Sequence, residues 1–115
     1  MIYDTDVTSF WLSYPEGGGG SNPVAQPVRL KGIILYPGFN VFGGIALHDG
    51  TSSSDPLMFK AGVQNYTSLY FDAPMIKIPG NGIKFNSRMR VEWPTDFTAG
   101  TNYIAGATFF IQKGG

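Results

Sequence analysis

The chain has no cysteine. Disulfides, thiolate metal sites and a cysteine nucleophile are therefore excluded. Charge is scarce too: eight basic and eight acidic side chains among 115 residues cancel at pH 7. A neutral chain carries no overall electrostatic footprint for nucleic acid and has no reason to adhere to an anionic membrane. Neutrality also weakens the repulsion that keeps concentrated monomers apart, which favours a subunit of an assembly. No apolar run approaches the roughly 20 residues of a membrane-spanning helix. The opening Met1-Ile2-Tyr3-Asp4-Thr5-Asp6 lacks the basic and apolar regions of a signal peptide, so the expectation is synthesis in a cytoplasm, with any exit by some other route.

What is present points to strands. Nine Phe, six Tyr and two Trp accompany 16 Gly and 8 Pro. That mix suits many short strands joined by tight turns, whereas helices would want more Leu, Ala, Glu and Lys. The length suits one domain with one core. Apolar residues recur with period two, and no segment holds a 3.6-residue period. The spacing predicts eight or nine strands with a turn signal about every ten residues, hence an all-β, antiparallel, jelly-roll-like sandwich.

Val7 to Tyr14 reads as a β-branched, aromatic strand or extended arm, followed by the run Gly17-Gly18-Gly19-Gly20. Ordering four glycines costs much entropy. The reading is an N-terminal arm and hinge over residues 1–27, standing off a β-sandwich domain over residues 28–115, with a plain first strand and loose loop as the alternative. Val28 to Tyr36 begins by alternating and ends as a continuous apolar run, as a strand does when covered on both faces. The pair Gly43-Gly44 suits a bulge or a close backbone approach. Segments 57–61, 66–71 and 104–112 read as further strands. Arg88 to Trp93 alternates strictly, which turns Met89, Val91 and Trp93 inward and Arg88, Arg90 and Glu92 outward. Ile76-Lys77-Ile78 and Ile83-Lys84-Phe85 flank Pro79-Gly80-Asn81-Gly82, where the chain can reverse or bend sharply. This unit reads as a sandwich corner with Ile78, Ile83 and Phe85 in the core.

In their order and spacing, four segments resemble small all-β virion proteins of tailed phages, especially marine and cyanobacterial phages. They are Arg29-Leu30-Lys31-Gly32-Ile33, Ile45-Ala46-Leu47-His48-Asp49-Gly50, the stretch from Ile78 to Phe85, and Ala107-Thr108-Phe109-Phe110-Ile111. The likeness spans roughly residues 28 to 112, leaves the first 27 unmatched, and departs from the pattern between Asn86 and Tyr103, where this chain is longer. It implies a non-enzymatic, decoration-like component of a virion.

Candidate chemistry is thin. His48-Asp49 is the one pairing suited to acid–base work, with Ser52, Ser53 and Ser54 as nearby hydroxyls. Strand neighbours point to opposite faces, and no nucleophile elbow is present, so a solvated loop with an Asp-Gly turn is the preferred reading. Asp4, Asp6, Asp49 and Asp55 match no calcium loop. The glycine run precedes no Lys-Ser or Lys-Thr pair, so it is no phosphate loop. No catalytic, metal or cofactor residue is assigned. Trp11, Trp93, Tyr66 and Tyr70 are candidates for a sugar-stacking platform, with Trp93 in register for the core.

The interface candidates are Phe10, Trp11 and Tyr14 on the arm, because aromatic residues dominate hot spots, and Arg88 and Arg90 on an outer strand face. The expected function is a capsid decoration or cement protein that binds other copies of itself, with a trimer usual for such modules, and the major capsid protein. The alternative is a tail or fibre component that binds a host-surface glycan.

Overall fold

The computed structural model describes residues 7–13, 19–37, 42–64, 75–93 and 104–113. These form nine strands: β1 (Val7–Ser13), β2 (Gly19–Val24), β3 (Val28–Pro37), β4 (Phe42–Asp49), β5 (Leu57–Gln64), β6 (Met75–Lys77), β7 (Ile83–Phe85), β8 (Met89–Trp93) and β9 (Ile104–Lys113). The pairing is antiparallel throughout and makes two sheets. One has the order β1-β9-β3-β6, with β7 also on β3, and the other has the order β2-β8-β4-β5. We call them sheet A and sheet B. Among the described residues there is no helix long and apolar enough to cross a membrane.

Alternation along the strands builds one core between the sheets. Sheet A sends in Val28, Leu30, Ile33, Leu35, Phe85, Ala107, Phe109 and Ile111, and sheet B sends in Val24, Ile45, Leu47, Met89, Val91 and Trp93. Strand β8 follows its expected pattern, with Met89, Val91 and Trp93 buried. Fully burying side chains of this size contributes roughly 1.5–3 kcal/mol each, so the facing rows are the main source of cohesion.

Three expectations are corrected. First, residues 7–13 do not stand off the body. β1 pairs with β9 over seven consecutive positions, and β2 pairs with β8 in the other sheet. The two glycines at 19 and 20 are strand residues, because backbone hydrogen bonding to β8 offsets their entropy. Second, Gly43 and Gly44 pair with β5 in unbroken register, and the bulge falls between Leu47 and His48.

Third, the stretch from Ile76 to Phe85 is neither a hairpin nor a corner. β6 pairs with Gly32 to Ile34 and β7 with Val28 to Leu30, both antiparallel to β3. The two strands therefore form one edge that steps outward over residues 78–82 and returns to the same partner. The Ile78 amide donates to the Lys31 carbonyl (3.1 Å), and the Gly82 amide donates to the Pro79 carbonyl (3.3 Å). Gly82 has φ +84, and a Cβ there would collide with the Leu30 carbonyl oxygen. Glycine is what lets the excursion close against β3. The expected burial holds for Phe85, while Ile78 and Ile83 pack against the core half-buried.

Candidate functional site

On sheet B, the loop that joins β4 to β5 consumes its own polar groups. Asp55 accepts the Thr51 and Ser52 amides on one carboxylate oxygen (2.8 and 3.0 Å). Gly50, with φ +150, lies under that carboxylate, where a Cβ has no room. Asp49 reaches to the segment between β7 and β8. It accepts the Asn86 amide on Oδ2 (3.0 Å) and the Ser87 and Arg88 amides on Oδ1 (2.9 and 3.4 Å). His48 is buried at 9% exposure, with Nδ1 2.9 Å from the Asp55 carbonyl oxygen. A carbonyl only accepts, so Nδ1 carries the proton. The sequence reading placed His48 in a solvated loop; it is instead a β4 residue in register with Arg90 of β8, buried where its ring meets the returning loop at Asp55. His48 and Asp49 are each engaged with backbone, in different directions.

Arg90 and Glu92 share the outer face of β8, two residues apart. The Arg90 Nε and Nη2 atoms both lie 2.6 Å from Glu92 Oε2, and both side chains are about four-fifths buried. Arg90 Nη1 also donates to the Thr51 carbonyl (3.2 Å) and to Asn22 Oδ1 (3.4 Å). The pair therefore ties β2, β8 and the β4–β5 loop together. Arg88 uses its backbone, donating to Asp49 and accepting the Gly50 amide (3.1 Å).

Sheet A has a different outer face. Trp11, Thr108, Ile34 and Met75 stand directly opposite one another across β1, β9, β3 and β6, in a row about 14 Å wide at the usual strand spacing. The next row is Ser9, Phe110, Gly32 and Lys77. Each row carries its apolar bulk above a glycine. The benzo ring of Trp11 fills the space that a Cβ at Gly106 would need, and Met75 and Phe110 converge over Gly32. Tyr36 meets the indole edge-on, with centroids 5.0 Å apart and planes at 72°. Trp11 is still 51% exposed and Met75 47%.

Charge is also divided between the sheets. Arg29, Lys31, Lys77, Lys84 and Lys113 all lie on sheet A strands, whereas the acids Asp49, Asp55 and Glu92 lie on sheet B or its loop. No acid among the described residues belongs to sheet A. Arg29 and Lys84 stand directly opposite each other on β3 and β7.

The expected interface residues do not form one patch. Phe10 and Trp11 point to opposite faces of β1, with Phe10 stacked on Phe109 (5.1 Å, 25°) and only Trp11 turned outward. Arg88 and Arg90 belong to the other sheet. Tyr14, Tyr66 and Tyr70 lie outside the described residues, as does the predicted strand 66–71. Trp93 is in the core, which removes it from any surface platform. Phe10 instead helps line a cleft of about 470 Å³ between the sheets, with Val24 and Ile111 at its apolar side and Thr8, Gln26 and Lys113 at its polar side.

Sequence reasoning missed the outer face of sheet A. Its signal was the continuous run Ile33-Ile34-Leu35-Tyr36, attributed to burial on both faces. Ile33 and Leu35 are indeed buried, but Ile34 and Tyr36 are half-buried on the outer face. Comparison with protein families, curated proteins and solved structures finds no match for this chain.

Proposed function

We propose that the chain is a structural subunit of a tailed-phage virion, a decoration or cement protein of the head that adds contacts between neighbouring subunits. The observation that carries this reading is β1. Among the described residues it is a sheet edge with one partner, seven residues long, in regular register, and without a charged residue, a proline or a bulge. Soluble monomers ordinarily blunt such an edge with one of those devices, because open backbone groups recruit another strand. An unguarded edge suits a chain whose neighbour supplies the next strand. Exposed apolar side chains mark other edges too: Leu57 (54%) on β5 and Met75 on β6.

The strand order supports a jelly roll as the finer form of the sandwich. With β6 and β7 counted as one interrupted strand, each sheet has four strands. The β4–β5 hairpin is then the one connection that stays within a sheet. Two nested Greek keys give this order, and viral capsid and lectin domains use it. The resemblance of the four segments to phage decoration-like proteins agrees. Fold alone would not assign the role; the unguarded edge adds the mechanism. Cementing is mechanical here: backbone pairing along β1 and apolar contacts beside it hold neighbours together.

The test uses particles of the phage that encodes the chain. Mass spectrometry should find it at stoichiometric copy number, and removing it should lower the temperature at which heads release DNA. Particles that lack the chain, or whose stability is indifferent to it, would remove the cement role.

A further inference from the structure

Among the described residues, the outer face of sheet A combines an exposed indole with charge of one sign, and pairing along β1 would leave that face open because it runs in the plane of the sheet. We propose that this face binds an acidic oligosaccharide, with a sugar ring stacked on Trp11 and a carboxylate further along held by Lys77 and Arg29.

The platform is braced by its neighbours. Gly106 lets the benzo ring sit down on β9, Tyr36 supports it edge-on, and half of the indole surface still faces solvent. A fixed ring loses little entropy on binding, and its electron-rich face attracts the C–H edges of a pyranose. Thr108 stands beside it in the same row and Ser9 in the next, placing hydroxyls where a sugar would need partners. Lys77 lies three strands across and one row along, about 16 Å from Trp11 at ordinary sheet spacings. Arg29 lies on the adjacent strand, beyond the bulge in β3. A ligand that reaches both ends must be several sugars long.

Charge complementarity sets the ligand's sign. The sheet presents cations and, among the described residues, no acid that would compete for them or repel a carboxylate. Nucleic acid fits less well. The span between Trp11 and Lys77 is the uncharged set Thr108, Ile34, Phe110 and Met75, over which every phosphate would go unmatched. Single-strand binders also stack successive bases on several open rings. Here Trp11 is the one exposed aromatic side chain among the described residues, Phe110 and Tyr36 being half-buried. An oligosaccharide that alternates neutral and acidic sugars satisfies both ends and the middle. This site does not depend on the chain's place in a particle.

Titration calorimetry on the full chain tests it, with hyaluronan and alginate oligosaccharides as probes, chito- and cello-oligosaccharides as neutral counterparts, and oligo-dT as the nucleic-acid arm. At least one acidic glycan should bind, more weakly as salt rises, and the neutral ones should bind far more weakly. Trp11→Ala should reduce affinity about tenfold, in line with the loss of one stacking contact, and Trp11→Phe should restore most of it. Lys77→Gln should cost about tenfold and flatten the salt dependence, as the loss of a charge-assisted contact does. Leu57→Ala, an equally exposed apolar site on the other sheet, should leave affinity unchanged, and melting curves of each variant check the fold. Binding of neither acidic glycan would overturn the proposal. So would preference for oligo-dT, or acidic-glycan binding insensitive to both Trp11→Ala and Lys77→Gln. A change in association state on Trp11→Ala with no glycan binding would assign the face to protein contact instead.

Discussion

The two sheets share one core and handle their outer faces in opposite ways. Sheet B turns its polar groups on itself. Asp49 holds three backbone amides, Asp55 holds two, His48 caps the Asp55 carbonyl, and Arg90 joins Glu92, Asn22 and Thr51. Sheet A keeps cations, an indole and apolar side chains on a face bordered by an unguarded strand. A group bonded within its own fold has little left to offer a partner, whereas an exposed ring or an open strand edge does. The contrast divides the molecule into a sheet stitched for stability and a sheet open to contact.

That division predicts different injuries. Sheet A depends on backbone fit, so its most damaging change is Gly82→Val. A β-branched residue is a poor fit at φ +84, and the new Cβ meets the Leu30 carbonyl oxygen. Strain of this kind with a backbone collision should cost about 3 kcal/mol or more, a large fraction of the roughly 5–15 kcal/mol that holds a domain folded. Gly80→Ala is the matched control. Gly80 also has positive φ, +67, but nothing stands within 4 Å of its Cβ position. It should cost only the conformational penalty of about 1–2 kcal/mol. Equal losses from thermal melts of the two variants would mean that close approach to β3 is not what demands glycine at 82.

Sheet B depends on carboxylates. Asp49→Ala leaves the amides of residues 86–88 without their acceptor, and urea denaturation should show a loss of about 2 kcal/mol. Asp49→Asn keeps an acceptor without its charge and should fall between. The Arg90–Glu92 pair should matter less. A double-mutant cycle with Arg90→Ala and Glu92→Ala should give a coupling of about 1 kcal/mol, since the pair retains some solvent access. A coupling near zero would reduce the pair to a surface ornament and weaken the picture of a stitched sheet.

How much of this could be read beforehand depends on whether the cause was local. Strict alternation from Met89 to Trp93 reports a face buried by its own sheet, and so it was legible. The positive φ at Gly82 was legible as well, because Pro79-Gly80-Asn81-Gly82 is local turn chemistry. Its role was not: β6 and β7 share one partner 40 or more residues earlier in the chain, and no window of ten residues contains that fact. β2 was invisible because Gly19, Gly20 and Pro23 have poor strand propensity, and the strand is held by the pairing of Gly19, Gly20, Ser21 and Val24 with β8, a tertiary effect. Net charge concealed more than it revealed. A total of zero masks an uneven distribution: among the described residues, five of the eight cations lie on sheet A strands and all three acids lie on sheet B or its loop. Paired sheet positions turn that uniform-looking composition into a sheet whose described charges are all positive.

The smallest expected effect on folding is the most informative about contact. Ser9 is exposed on β1, and Ser9→Lys adds the charge that guarded edges carry. Lysine is a tolerable strand residue at an exposed site, so the melting free energy of the monomer should change by no more than about 0.5 kcal/mol. Light scattering should nevertheless show less self-association than in the unmodified chain, because a lysine on an edge strand disfavours the addition of a neighbour's strand. The same substitution on a strand already paired on both sides would act through stability alone. If Ser9→Lys leaves association untouched, β1 is not the joining edge, and the apolar positions at Leu57 and Met75 become the places to introduce the same charge.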